Sequence, residues 1–164
     1  MTSTLPPKND SEGCETRLLL AECRSPAGSG YTLAEAKECM QLMDLVLWNR
    51  MDNPAPFGAK GAKTIADIVR APGQFAGFEH YPKYASSIIQ RIQSVIDIAN
   101  SKRDSRSAAY TDHIQAALDV TADPTIKDPT TGVLASWRTA GSGSPGGNFK
   151  LHKTLLGVTF YFIP

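Results

Sequence analysis

No charge of one sign dominates this chain. Its 164 residues carry 17 lysines and arginines against 16 aspartates and glutamates, a net charge of +1 with the histidines neutral. A dedicated nucleic-acid binder usually shows a basic excess and a disordered acidic tail the reverse, so neither class fits. Long apolar runs are also missing. Leu18-Leu-Leu-Ala21 is cut off by Glu22, and nothing approaches the roughly 18 residues of a membrane span. Residues 1–11 hold two prolines and no apolar stretch of signal-peptide type. A chain that acts outside its cell is therefore expected to leave by another route, or to have been trimmed of its leader. Cysteine is scarce: Cys14, Cys23 and Cys39 match no zinc spacing. Buried free thiols are the expected state. The alternative is a Cys23–Cys39 disulfide, which would tie the first two helices together and leave one cysteine over. His80, His113 and His152 pair with no cysteine or acid at ligand spacing, so they read as surface or structural residues and no metal or cofactor is expected. The Gly-rich stretch 141–147 lacks the Lys-Ser/Thr of a phosphate loop, and there is no Gly-x-Ser-x-Gly nucleophile turn.

What is present is the balance of a soluble globular protein, 41% hydrophobic and 20% charged. Residues 1–11 read as a loose lead-in, and the domain is placed at 16–164 behind a flexible segment 1–15. A short buried helix is expected over 16–23, ended by Ser25-Pro-Ala-Gly-Ser-Gly30. Thr32-Leu-Ala-Glu35 has the spacing of a capping box and opens the longest helix, about 33–51. That helix is apolar on most faces, so it belongs in the core. Thr64-Ile-Ala-Asp67 repeats the capping pattern before a short helix ending near Arg70. Ile88, Ile92, Val95, Ile96 and Ala99 line one face of a helix over about 83–101, and another helix is expected over 107–120. Segments 132–137 and 157–163 read as strands that pair across the Gly-rich loop. The fold class is mainly α (α+β), a helical domain with a small C-terminal β-hairpin.

Glu22 is the chemical anomaly, a carboxyl at the end of an otherwise apolar helix. A carboxyl that loses water without gaining a cation has a raised pKa, and a retained proton is what a general acid needs. The alternative is a helix-end Glu facing solvent. Further along stand Leu47-Trp-Asn-Arg50, Thr64-Ile-Ala-Asp-Ile-Val69, Pro72-Gly-Gln-Phe75, Asp128-Pro-Thr-Thr-Gly-Val133 and Leu156-Gly-Val-Thr-Phe-Tyr161. In this order, from about Leu18 to Tyr161, the series resembles the cell-wall hydrolase family typified by the spore-cortex-lytic enzymes. Two departures stand out. The family's Gly-Glu after its catalytic Glu is replaced by Cys23-Arg-Ser-Pro26, and its late His by Thr159.

The resemblance implies a lysozyme-like fold that cleaves the MurNAc–GlcNAc β-1,4 bond of peptidoglycan, as a lytic transglycosylase or a muramidase, with Glu22 as acid/base. A water-using muramidase usually pairs two carboxyls across the bond. Glu35, Asp44 and Glu79 all read equally well as solvated or capping groups, which favours the transglycosylase. Gln74 offers an amide donor and acceptor suited to an N-acetyl group. Phe75, Tyr81, Thr131, Trp137 and Tyr161 are further candidates for the sugar cleft, while Tyr84 fits the core better. Asn49 and Arg50 are expected to lock helix to loop. The expected partners are peptidoglycan glycan strands and a cognate immunity protein, with no nucleic acid and no membrane insertion. The missing signal suits a phage lysis protein, or a toxin made in the cytoplasm and delivered to the periplasm or cell wall by a machine such as type VI secretion. The other classes in view are a non-catalytic wall-binding module and a helical interaction protein in which Glu22 merely caps.

Overall fold

The structure, a computed structural model, describes residues 2–164. Five α-helices come first: α1 (Ser11–Glu22), α2 (Leu33–Asp52), α3 (Ile65–Val69), α4 (Ser86–Asn100) and α5 (Ser107–Ala122). A 3-10 turn, Ala55–Phe57, lies between α2 and α3. Strands β1 (Val133–Thr139), β2 (Lys150–Leu155) and β3 (Val158–Ile163) close the chain in an antiparallel sheet of order β1-β3-β2. The fold is mainly helical with a small C-terminal sheet, as the sequence implies. The sheet has three strands rather than the two expected. The expected pairing of β1 with β3 is present, with Val133 opposite Ile163 and Thr139 opposite Val158. The extra strand, β2, lies on the other edge of β3. Lys150, Leu151, Lys153 and Thr154 are exposed, so β2 lacks the alternation that marks a half-buried strand, and its lysines suit an edge. Leu156 and Gly157, both at positive φ, make the two-residue turn into β3.

α2 is the central element, with ten buried residues from Ala36 to Arg50. Its start is half of a capping box. Thr32 Oγ1 accepts from the Glu35 N–H, but the Glu35 carboxylate meets the Thr32 hydroxyl rather than the backbone. At α3 the box is complete between Thr64 and Asp67. α4 buries Ile92, Val95 and Ala99, with Ile88 and Ile96 half-buried at the margin. α5 buries Ile114 and Ala117.

α1 corrects the expected start. It begins at Ser11 rather than near residue 16, and Gly13, Cys14 and Glu15 are buried. The lead-in is tied down along its length. Ser3 N–H donates to Asn100 Oδ1 at 2.7 Å, Arg17 donates to the Pro6 carbonyl at 2.7 Å, and the Tyr81 hydroxyl donates to the Lys8 carbonyl at 2.6 Å. These bonds come from residues far away in sequence, so local composition could not announce them. All three cysteines are free and buried. The Cys23 thiol donates to the Ala36 carbonyl at 3.6 Å.

Candidate active site

The site is assembled around the C-terminal half of α2. Asn49 and Arg50 reach from it in two directions. Asn49 Nδ2 donates to Asp128 Oδ2 at 2.9 Å and to the Leu134 carbonyl at 2.8 Å. Asp128 also accepts from the Leu134 N–H at 2.7 Å and from the Thr130 N–H and hydroxyl. Burial works against the Asp128 charge, but these donors hold its carboxyl below the ordinary range. The Asp-Pro-Thr-Thr-Gly segment is thus a folded hook that sets where β1 begins.

Arg50 is 5% exposed and pairs with no carboxylate among the described residues. Its Nε donates to the Ala135 carbonyl and one terminal nitrogen to Gln74 Oε1, both at 2.9 Å. The guanidinium lies 4.6 Å from the Phe57 ring centre and 5.1 Å from that of Phe75, a cation–π sandwich. Burial lowers its pKa to about 10, which leaves it charged at neutral pH. Phe75 packs in turn on Trp137, with ring centres 5.1 Å apart.

These groups wall a cleft of about 400 Å³ together with Phe57, Ser136, Arg138, Pro145 and Phe149. Because Arg50 can only donate, it must face the amide oxygen of Gln74, and the exposed Gln74 side chain offers its NH₂ to a ligand. The cleft therefore combines an N–H donor, two arginines and aromatic faces.

Glu22 ends α1 half-buried. Burial pushes its carboxyl up and prevails over two opposing influences, the Trp137 indole N–H and the Arg91 guanidinium. Arg91 also donates to the Cys23 carbonyl at 3.3 Å. Glu22 is not itself a wall residue of the cleft. Trp137 bears on both, its ring packed on Phe75 and its indole N–H among the groups that act on the Glu22 carboxyl.

The other expected site residues divide. Gln74, Phe75 and Trp137 come together. Tyr161 lies opposite Ser136 and donates to the Gly143 carbonyl at 3.2 Å, bracing the loop that carries Pro145. Tyr81 is elsewhere: it is buried against Phe78 and Tyr84 with its hydroxyl on Lys8. Thr131 is exposed in the turn before β1, outside the cleft wall. Thr159, in place of the resembled family's His, bonds Thr154 across the sheet at 2.8 Å. Arg91 carries no sequence signal, being one polar residue on the outer side of α4.

Among the second-carboxylate candidates, Glu35 caps α2 and Glu79 accepts from the Gly77 N–H at 2.8 Å. Asp44 is not solvated as expected but 5% exposed, because α2 is buried on nearly every side. None of the three lines the cleft. His113 is fully buried, its Nδ1 2.9 Å from the Tyr31 hydroxyl. Among the described residues no group of three His, Cys, Asp or Glu side chains converges on a metal position, and no helix is long and apolar enough to cross a membrane. Set against protein-family models, curated proteins and solved structures, the chain matches none of them.

Proposed function

We propose that this chain cleaves peptidoglycan glycan strands at the MurNAc–GlcNAc β-1,4 bond, as a lytic transglycosylase with Glu22 as its acid/base. The observation that carries the reading is the position of Glu22. It is a half-buried carboxyl with a raised pKa, acted on by Trp137, which walls a cleft with Phe75 and the Gln74 amide. Motif order from Leu18 to Tyr161 supports it independently.

In this scheme the Glu22 carboxyl gives its proton to the glycosidic oxygen as the bond to C1 of MurNAc breaks. The carboxylate then takes the proton of that sugar's 6-hydroxyl, whose oxygen closes on C1. The product is a 1,6-anhydro end, no water is consumed, and Glu22 is returned protonated. A single carboxyl suffices, which suits a cleft that Glu35, Asp44 and Glu79 do not line. Gln74 N–H donors fit an acetamide carbonyl, and aromatic faces fit sugar rings. The two arginines of the wall fit a glycan that bears carboxylates. Delivery into a target periplasm, with a cognate immunity protein covering this cleft, belongs to the same proposal.

The test is digestion of purified sacculi with the wild-type protein and with Glu22→Gln, the released muropeptides read by mass spectrometry. Anhydro ends from the wild type are expected, with a loss on the order of 10²-fold or more in the variant. Reducing ends would instead assign a hydrolase. Full activity in Glu22→Gln would remove Glu22 from the site. Sacculus binding without release would leave a wall-binding module.

A further inference from the structure

Away from this cleft, a hollow of about 490 Å³ opens between α1, α2 and the end of α5. Glu12, Asp44 and Asp123 line it beside Leu45, Trp48 and Ile126, and no basic side chain does. Asp44 is 5% exposed, and its Oδ1 has no hydrogen-bond partner. Beside it, Glu15 of α1 is 1% exposed with Oε1 equally unpartnered. Neither carboxyl takes part in an ion pair among the described residues. Trp48, by contrast, is 45% exposed.

A buried carboxyl without a cation is unfavourable, and here Asp44 lines an open hollow with Glu15 beside it. The hollow has acceptors in its wall and no positive charge of its own. A hard divalent ion needs a converging set of six or more oxygens, and no such cluster of acids forms among the described residues. An organic cation needs less: a few acceptors for its N–H groups and an apolar or aromatic wall for its stem, and indole is the best such wall. The volume matches a side-chain-sized ligand.

We propose that this hollow binds an organic cation of the alkylammonium or guanidinium class, its head on Asp44 and its stem against Trp48. Without the ligand, Glu15 and Asp44 hold a proton between them. The groups acting on them are each other, Glu12 from α1 and Asp123 beyond α5, all acidic. Lys37 acts on Asp123 rather than on the pair. When the cation docks, its charge replaces that proton, which passes to the buffer. Binding is therefore tighter at higher pH and releases up to one proton. The site makes no use of Glu22 and stands whether or not the glycan reading holds.

The test is a titration of the isotope-labelled full chain, following the Trp48 indole resonance, with butylammonium chloride and with Nα-acetyl-lysine methylamide. Sodium chloride and butan-1-ol serve as controls. A saturable shift with the amines alone is expected, weakened about tenfold in Glu12→Gln/Asp123→Asn; Trp48→Ala lacks the reporting indole, and there calorimetry should show binding weakened about tenfold. Those substitutions fall outside the buried acid pair. Calorimetry in two buffers of different ionisation enthalpy should register the released proton. Tighter binding of the lysine derivative points to a peptide or protein lysine as the natural occupant, and tighter binding of butylammonium to a free amine. An equal shift with butan-1-ol, no saturable shift, no proton release, or full binding in both variants would overturn the proposal.

Discussion

Arg50 sets the polarity of the cleft. Buried without a carboxylate, it is held by one backbone carbonyl, the Gln74 oxygen and two aromatic faces. The consequence falls on Gln74, whose oxygen is occupied and whose donors are free. Gln74→Glu separates the two roles of this contact. The new carboxylate forms an ion pair with Arg50, so the melting temperature should hold or rise. The donor offered to the ligand becomes an acceptor, so muropeptide release should fall about tenfold. Unchanged release would show that the amide N–H groups do not meet the substrate. Asn49 and Arg50 were legible as helix-locking residues because both are polar groups at the end of an apolar helix, where bonds to neighbouring segments are the available compensation. Which carbonyls they reach was not legible, since Leu134 and Ala135 are 85 positions away.

Among the elements, α1 departs most from its sequence pattern. Its apolar run covers only the second half, yet Gly13, Cys14 and Glu15 are buried as well, with the lead-in against Gly13. Gly13 makes that possible: a Cβ there would overlap the Pro7 carbonyl. Gly13→Ala, ordinarily a helix-favouring change, should therefore destabilise by about 1–3 kcal/mol through overpacking. Equilibrium urea unfolding measures this, and a neutral or stabilising result would mean that residues 6–8 do not pack on α1 in solution. β2 was missed for a related reason. An edge strand is stabilised by the β3 backbone it pairs with, not by an apolar face of its own. α2, α4 and α5 were legible to within a few residues because each presents a long apolar stripe.

Over the whole molecule, buried titratable groups make stability depend on pH from both sides. Burial raises Glu15 and Asp44 above the ordinary carboxylate range, and the pairing of two acids adds to the rise at Glu15. The folded pair thus holds protons more tightly than the unfolded chain. Its contribution is complete below the unfolded carboxylate pKa near 4 and is lost as pH rises through the folded values. His113 works in the opposite direction. Burial lowers its pKa from 6.5 to about 4, so stability is lost as pH falls through that interval. Glu15→Gln removes a proton-binding group from the folded state. Relative to the wild type it should gain stability as pH rises from about 5 to about 8, with little difference at the acid end. Urea melts across that range measure the gap, and a gap independent of pH would show that the pair does not titrate with folding.

The sequence by itself determined the mainly helical class, the α2 core, the β1–β3 pairing, and Glu22 as a carboxyl at the end of an apolar helix. These follow from periodicity, caps and turn residues, which act over a few positions. Only the tertiary structure decided which distant groups meet: Trp137 against Glu22 and Phe75, Arg50 on Gln74, Tyr81 withdrawn to Lys8, and Glu15 beside Asp44. The physical reason is range. Apolar pattern registers that a face is buried, but a polar group's partner, and so its charge and its chemistry, depends on what the packed chain brings within a few ångströms of it.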